Sequence, residues 1–143
     1  MDDDVKSTID TSRERLRQFV ETSTDDTLAL PVDGDWTVGA LLAHTAFWDR
    51  RAARLVRRFL QGTSTPSSAS LDEVNDCALP QWRLIPPGLA AQEALDAAAE
   101  IDDLLAGLTA EQFAALRQTD IYYDRSTHRL EHLDQIEQVI GQR

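Results

Sequence analysis

Apolar side chains recur at intervals of three and four residues through most of the chain, which is the period of an amphipathic α-helix. The pattern predicts four long helices, over about residues 3–21, 37–62 and 88–108 and from about Arg125 to the end of the sequence. No alternation of apolar and polar residues is long enough to predict a β-strand. The sequence therefore predicts an all-α protein in which four long helices pack as an antiparallel bundle.

Two capping motifs predict shorter elements between the long helices. Ser70-Leu-Asp-Glu73 has the form of a capping box and predicts an extra short helix over residues 71–82, between the second and third long helices. Thr109-Ala-Glu-Gln112 has the same form and predicts a short helical turn that ends at Leu116. The low-complexity stretch 62–70 is predicted to be flexible but is too short to divide domains. We expect one domain over residues 1–143.

Charge narrows the range of partners. The chain has 25 acidic and 14 basic residues and a net charge of −11, so its surface should repel a phosphate backbone, and nucleic acid is not expected as a partner. No apolar run approaches the roughly 20 residues of a membrane span, and the acidic start Met-Asp-Asp-Asp is unlike a secretion signal. Cys77 is the single cysteine, which excludes an internal disulfide. We expect a cytoplasmic protein without a membrane partner.

The chain has three histidines, and their positions suggest a metal site. His128 and His132 stand four residues apart in the last helix, which stacks them on one face, roughly 5–6 Å apart at Cβ. His44 lies in the middle of the apolar stripe of the second helix. Three neutral imidazoles suit zinc, nickel, iron or copper. Two other interpretations stay open, because a histidine on an apolar stripe is often a satisfied core residue and an i, i+4 pair can line a solvated face.

Three segments, taken in order, resemble the DinB-like (damage-inducible) superfamily. They are Trp36-Thr-Val-Gly-Ala-Leu-Leu-Ala-His44-Thr-Ala-Phe-Trp48, then Asn75, then His128-x-x-x-His132-x-x-Gln135-Ile136. Each motif is loose alone, and only the combination, which spans nearly the whole chain, is specific. The resemblance implies a four-helix up-down-down-up bundle, one divalent metal, zinc or nickel, on His44, His128 and His132, and a homodimer.

The resemblance also implies a chemistry. The superfamily is similar to bacillithiol and mycothiol S-transferases and to mycothiol-dependent maleylpyruvate isomerases, which suggests an enzyme that activates a small thiol as a metal-bound thiolate and transfers it to a small-molecule substrate. Lys6 is the only lysine and alanine is abundant, a usage typical of GC-rich genomes that favours mycothiol over bacillithiol. Two alternatives remain, a metal-dependent hydrolase and a non-catalytic dimeric metal-binding stress protein. No acidic general base stands at a position that the family motif fixes.

Further residues are weaker candidates for the site. Asp124, one turn before His128, is either an acceptor that orients the imidazole or a helix N-cap. Tyr122 and Tyr123 precede the histidine helix and are close enough in sequence to reach the site. The basic patch, defined as Arg50, Arg54, Arg57 and Arg58, either holds the carboxylates of a thiol or forms a solvated helix face.

Overall fold

The computed structural model describes residues 1–63 and 70–142, and most of them are helical. The elements in chain order are α1 (Asp3–Thr22), α2 (Asp25–Leu28), β1 (Pro31–Asp33), β2 (Trp36–Thr37), α3 (Val38–Leu60), α4 (Leu71–Trp82), α5 (Pro87–Ala106), α6 (Ala110–Leu116) and α7 (Ser126–Gly141). None of the described helices is both long enough and apolar enough to cross a membrane.

Side-chain caps explain several of the predicted helix boundaries. The Thr37 hydroxyl accepts a hydrogen bond from the Ala40 backbone N–H at 3.1 Å and starts α3. Ser70 does the same for Glu73 at the start of α4, whose bounds are those predicted. Thr109 and Gln112 form the complete reciprocal capping box of α6. The stretch 62–70, predicted to be flexible, lies mostly outside the described residues.

Cross-helix contacts define the directions of the four long helices. Arg50 pairs with Glu93 and Arg57 with Glu100, so α3 and α5 run parallel. Ser12 contacts Arg129 and Arg15 contacts Glu137, so α1 and α7 also run parallel. Asp49 near the middle of α3 meets Arg125 just before α7, whereas His44, earlier in α3, meets His132 further along α7, which makes these two helices antiparallel. The predicted all-α up-down-down-up bundle is therefore confirmed.

Small residues let α3 and α5 approach closely. Buried alanines occupy the face of α5 that meets the core, at Ala90, Ala91, Ala94, Ala97 and Ala98. At the start of α3, a Cβ added to Gly39 would lie 3.2 Å from Pro87 Cβ. Because glycine has no side chain, the first turns of α3 and α5 can lie close together there. The close packing of α5 against α3 fixes the rotation of α3 in the bundle and therefore the direction in which His44 faces.

A two-stranded hairpin was not predicted. Pro31 pairs with Thr37 and Asp33 with Trp36 in antiparallel register, and the turn passes through Gly34 at φ +51°. Strands of three and two residues are too short for alternation to appear in the sequence, so the expectation that the segment needs no strand was wrong. The hairpin matters because it places Val32, Asp33 and Trp36 along the cavity described below.

Candidate metal centre

The structure brings the three predicted histidines together from two antiparallel helices. Nε2 of His128 lies 3.1 Å from Nε2 of His44 and 3.1 Å from Nε2 of His132. The possible ligand atoms of the three residues all lie within 4.8 Å of one another. The three side chains could therefore hold a single metal ion.

Two of the spacings between nitrogen atoms are compatible with coordination of one shared metal ion. Two imidazole nitrogens bound to one tetrahedral zinc at ~2.0–2.1 Å lie ~3.3 Å apart, close to the spacing at His128. The Nδ1–H of His132 donates to Gln135 Oε1 at 2.9 Å, and this tautomer leaves the Nε2 lone pair free for a metal. A single hydrogen atom on His128 Nε2 can be donated to only one of the two neighbouring Nε2 atoms, so hydrogen bonding alone does not account for both short distances. A shared ion satisfies all three nitrogens at once.

Burial keeps the imidazoles neutral. It lowers the pKa of His44 from 6.5 to about 3, helped by His132 and Arg125, and it lowers the pKa of His128 to about 2 with Arg125 as the next cause. Burial also lowers the pKa of His132. Because a metal binds the unprotonated ring, the site holds its side chains in the form that coordination requires at neutral pH.

Three tryptophan rings surround His44. The ring centres of Trp82, Trp36 and Trp48 lie 5.2, 5.4 and 6.3 Å from that of His44, and all three meet it edge-to-face or nearly so. Nε1–H of Trp48 donates to Asn75 Oδ1 at 2.9 Å, which ties α4 to the same wall. Trp48 is both buried and in contact with the cavity.

A buried charge network lies directly beside the histidines. Asp49 Oδ1 accepts from Arg125 Nε at 3.0 Å, and its Oδ2 accepts from Arg129 Nε at 2.7 Å. Both Nη atoms of Arg129 donate to Asp102, at 2.7 and 2.9 Å, and one also reaches Ser12 at 3.3 Å. The two arginines and two aspartates balance in charge. The network therefore joins all four long helices at the level of the histidines.

The pKa values within this network reflect burial and pairing. Burial raises the pKa of Asp102 despite its contact with Arg129. Burial acts to lower the pKa of Arg129, but Asp49 and Asp102 outweigh it, and the net shift is upward. Arg129 thus stays charged with only 1% of its surface exposed, because two of its hydrogen-bond partners are carboxylates.

This network was not predicted from the sequence. Asp102, in α5, is only 5% exposed. A signal was present, because Arg125 and Arg129 have the same i, i+4 spacing as the two histidines, and Asp49 stands at helical intervals from Leu42, Thr45 and Ala52. Charged residues at core positions of two facing helices predict an internal ion pair.

A cavity of about 730 Å³ opens over the histidines. Its lining includes Trp36, Trp48, Asn75, Tyr122, Arg125 and Gln135 as well as His44, His128 and His132. The three histidine side chains thus border a space large enough for a small molecule, and the rings of Trp36, Trp48 and Tyr122 form part of its wall. Such a concave site with a few polar groups is typical of small-molecule binding.

The weaker candidates from the sequence lie in different places relative to the histidine cavity. Asp124 Oδ1 accepts from the backbone N–H and the hydroxyl of Ser126, the first residue of α7, but the N-cap position of that helix is Arg125. The described hydrogen bonds of Asp124 do not include His128. Tyr122 lines the cavity, whereas Tyr123 packs on Phe113 in the core. None of the four arginines of the basic patch is among the residues that line the histidine cavity, and Arg50 and Arg57 pair with α5 instead.

Comparison with known proteins agrees with the fold. A family model described as the DinB superfamily matches residues 8–136, which is most of the chain. The protein therefore belongs to the DinB superfamily, as the three motifs predicted. Comparison with curated proteins gives no significant match, and comparison with solved structures gives none either.

Proposed function

We propose that the protein is a metal-dependent thiol S-transferase in which His44, His128 and His132 hold one divalent ion, zinc or nickel. The observation that supports this most directly is the convergence of three Nε2 atoms at the floor of a cavity large enough for a small molecule. When bound, such an ion supplies a coordination position at which a thiol loses its proton and becomes a nucleophile.

The residues of the chain then perform the remaining tasks. Gln135 fixes the tautomer of His132, and the tryptophans around His44 exclude water from one side of the site. Among the described residues, the acidic side chains that line the cavity are exposed, and the buried Asp49 is engaged by two arginines. A thiol that ionises on the metal needs no buried carboxylate as its base, which favours thiol transfer.

One observation favours metal-dependent hydrolysis as a second candidate. Glu131 lines the cavity next to His132, and it acts to raise the pKa of that histidine. Hydrolysis at a metal commonly uses a nearby carboxylate as general base. Glu131→Gln should abolish activity on esters if the protein is a hydrolase and should leave thiol transfer within about threefold if it is not.

Metal content is the first test. Protein purified without a polyhistidine tag and supplied with zinc or nickel should contain about one ion per chain by mass spectrometry. His132→Ala should lose it and remain helical by circular dichroism, because the change removes one ligand and leaves only a small gap. Less than a tenth of an equivalent in the wild-type protein, or full retention in the variant, would contradict the ligand set.

Activity is the second test. The metal-loaded protein should accelerate the reaction of a small thiol with monobromobimane, mycothiol more than bacillithiol, and His132→Ala should remove the acceleration. Failure with every thiol would favour the hydrolase, or a non-catalytic stress protein that stores or senses metal.

We also propose a cytoplasmic homodimer. Light scattering should give twice the mass of one chain.

A further inference from the structure

Arg125, the residue immediately before α7, holds its guanidinium group in one place. Only 5% of its surface is exposed. Its Nε donates to Asp49 at 3.0 Å, and its Cζ lies 4.8 Å from the centre of the Tyr122 ring. Contacts with a carboxylate and with an aromatic face restrain the group from two directions. The cation is therefore positioned before a ligand arrives, which lowers the entropic cost of binding one.

The far end of this guanidinium group is free to bind. Within the part of the chain that the structure describes, the side chain of Arg125 donates a hydrogen bond through Nε, to Asp49, and none through its Nη atoms. Within that part, the fully buried side-chain polar atoms that lack a partner are Nδ1 of His44 and of His128, so the Nη atoms keep contact with solvent. Because Arg125 lines the histidine cavity, that contact is with the cavity.

The surrounding charges leave room for one anion. Asp49 is shared with Arg129, so it does not close the Nη end of Arg125. Three more carboxylates line the cavity, at Asp33, Asp72 and Glu131, and all are exposed. Water screens exposed charges more than buried ones, so the guanidinium dominates locally, although the three carboxylates oppose a doubly charged ligand. A singly charged carboxylate suits this balance better than a phosphate.

We propose that Arg125 binds a carboxylate group of a substrate through its two Nη atoms and places the rest of that molecule over the histidine triad. This rests on the proposed function, since the molecule placed there is the one that reacts at the metal. The planar end of a guanidinium group matches a carboxylate with two parallel hydrogen bonds. Trp36, Leu41 and Trp48 line the same cavity and suit an apolar body on the ligand.

Benzoate and benzamide form a matched pair of probes, since they differ mainly in charge. Tryptophan fluorescence can follow their binding because Trp36 and Trp48 line the cavity. Benzoate should bind the full-length protein about tenfold or more tightly than benzamide. Arg125→Gln should abolish that preference and leave benzamide affinity unchanged. Arg125→Lys, which keeps the charge but not the planar pair of donors, should restore part of it.

Arg51→Gln is the matched control. Arg51 also lines the cavity and lies over an aromatic ring, with its Cζ 5.4 Å from the centre of Trp48, but it is only partly buried. Its loss should change benzoate affinity by less than about threefold, since an exposed charge contributes little. If Arg125→Gln does not fold, the double variant Asp49→Asn, Arg125→Gln removes one positive and one negative charge, leaves the Arg129–Asp102 pair balanced, and should also bind benzoate and benzamide equally.

Metal-free and zinc-loaded protein separate the arginine from the metal as the anchor. Benzoate should bind both forms with the same dependence on Arg125. Binding that requires zinc, or that survives Arg125→Gln in full, would overturn the proposal because the carboxylate would then sit on the metal. These binding measurements do not depend on catalysis. If benzoate binds through Arg125 but the protein shows no activity with any thiol, the carboxylate site stands and only the S-transferase function is contradicted.

A second pair of probes shows which reactant carries the carboxylate. N-acetylcysteine and its amide present the charge on a thiol, whereas benzoate presents it on a thiol-free molecule. If the Arg125-dependent preference is larger for the thiol pair, the carboxylate belongs to the thiol. A larger preference for the benzoate pair assigns it to the acceptor. Both results support the site, and no preference in either pair would refute it.

Discussion

At the scale of single residues, Gln135 controls which nitrogen of His132 is free for a metal. Gln135→Ala removes the acceptor for the Nδ1–H of His132, so we expect metal affinity to fall about tenfold, as is usual when such a supporting contact is lost. Gln135→Glu should keep wild-type affinity because a carboxylate is a stronger acceptor. Gln138→Ala, on the same cavity, is the control. Competition with a chromophoric chelator measures each affinity, and equal values for Gln135→Ala and wild type would contradict the prediction.

The histidine pKa values make the metal-free protein sensitive to acid. His44 and His128 have folded-state pKa values of about 3 and about 2, below the ordinary 6.5, so below pH 6.5 the unfolded chain binds more protons. Stability is therefore complete above pH 6.5 and declines as the pH falls below it. Between pH 6 and pH 5 the free energy of unfolding should drop by about 2 kcal/mol.

Urea unfolding of chelator-treated protein at several pH values measures this slope. The double variant His44→Gln, His128→Gln should show a clearly shallower dependence, because its side chains do not titrate in this range. A wild-type slope equal to that of the double variant would show that the two imidazoles are not the groups responsible.

Residue spacing predicts some of these positions and not others. The i, i+4 histidines and the apolar stripe around His44 could be read from the sequence because both follow the helical period. The spacing of Arg125 and Arg129 and the helical position of Asp49 indicate an internal ion pair, but Asp102 could not be assigned as a partner, since an acidic residue near the edge of a stripe fits a core or a solvated position equally well. Only the rotation of each helix in the bundle decides between them.

At the scale of helices, Arg129 holds α7 against α3 and α5. Arg129→Met leaves Asp49 with one cation and Asp102 without its bidentate partner, so the free energy of unfolding should fall by about 3–5 kcal/mol. Arg13→Gln is the control, because it breaks the exposed pair with Asp103, next to Asp102, and should cost less than about 1 kcal/mol. Urea unfolding compares the variants, and similar losses for both would contradict the special role of the buried network.

Local chemistry also decides how well each element is predicted. The bounds of α4 and α6 follow from Ser70 and Thr109, whose hydroxyls cap the first turn. The single turn α2 is also capped, by Thr24, but neither it nor the short hairpin contains a full period of apolar residues. Elements of that length depend on the bundle that they pack against.

At the scale of the whole molecule, the parallel pairing of α3 and α5 shapes the site. A 23-residue helix is ~34 Å long, so the chain must return along the bundle before α5 can run in the same direction. The segment that contains α4 makes this return, and α4 brings Asn75 and Trp82 to the wall of the site on the way. Periodicity predicts four helices but not their order in space. The family resemblance supplied that order.

Metal binding should stabilise the entire bundle, because its proposed ligands belong to two helices that separate when the chain unfolds. At a free zinc concentration a thousandfold above the dissociation constant, the gain is about 4 kcal/mol, or about 13 °C in Tm for a chain of this size. Differential scanning calorimetry with zinc and with excess chelator measures it. His132→Ala should show no zinc-dependent shift, whereas Gln138→Ala should keep the full one. A wild-type Tm that does not respond to zinc or nickel would mean that the histidines do not bind these metals in the folded state.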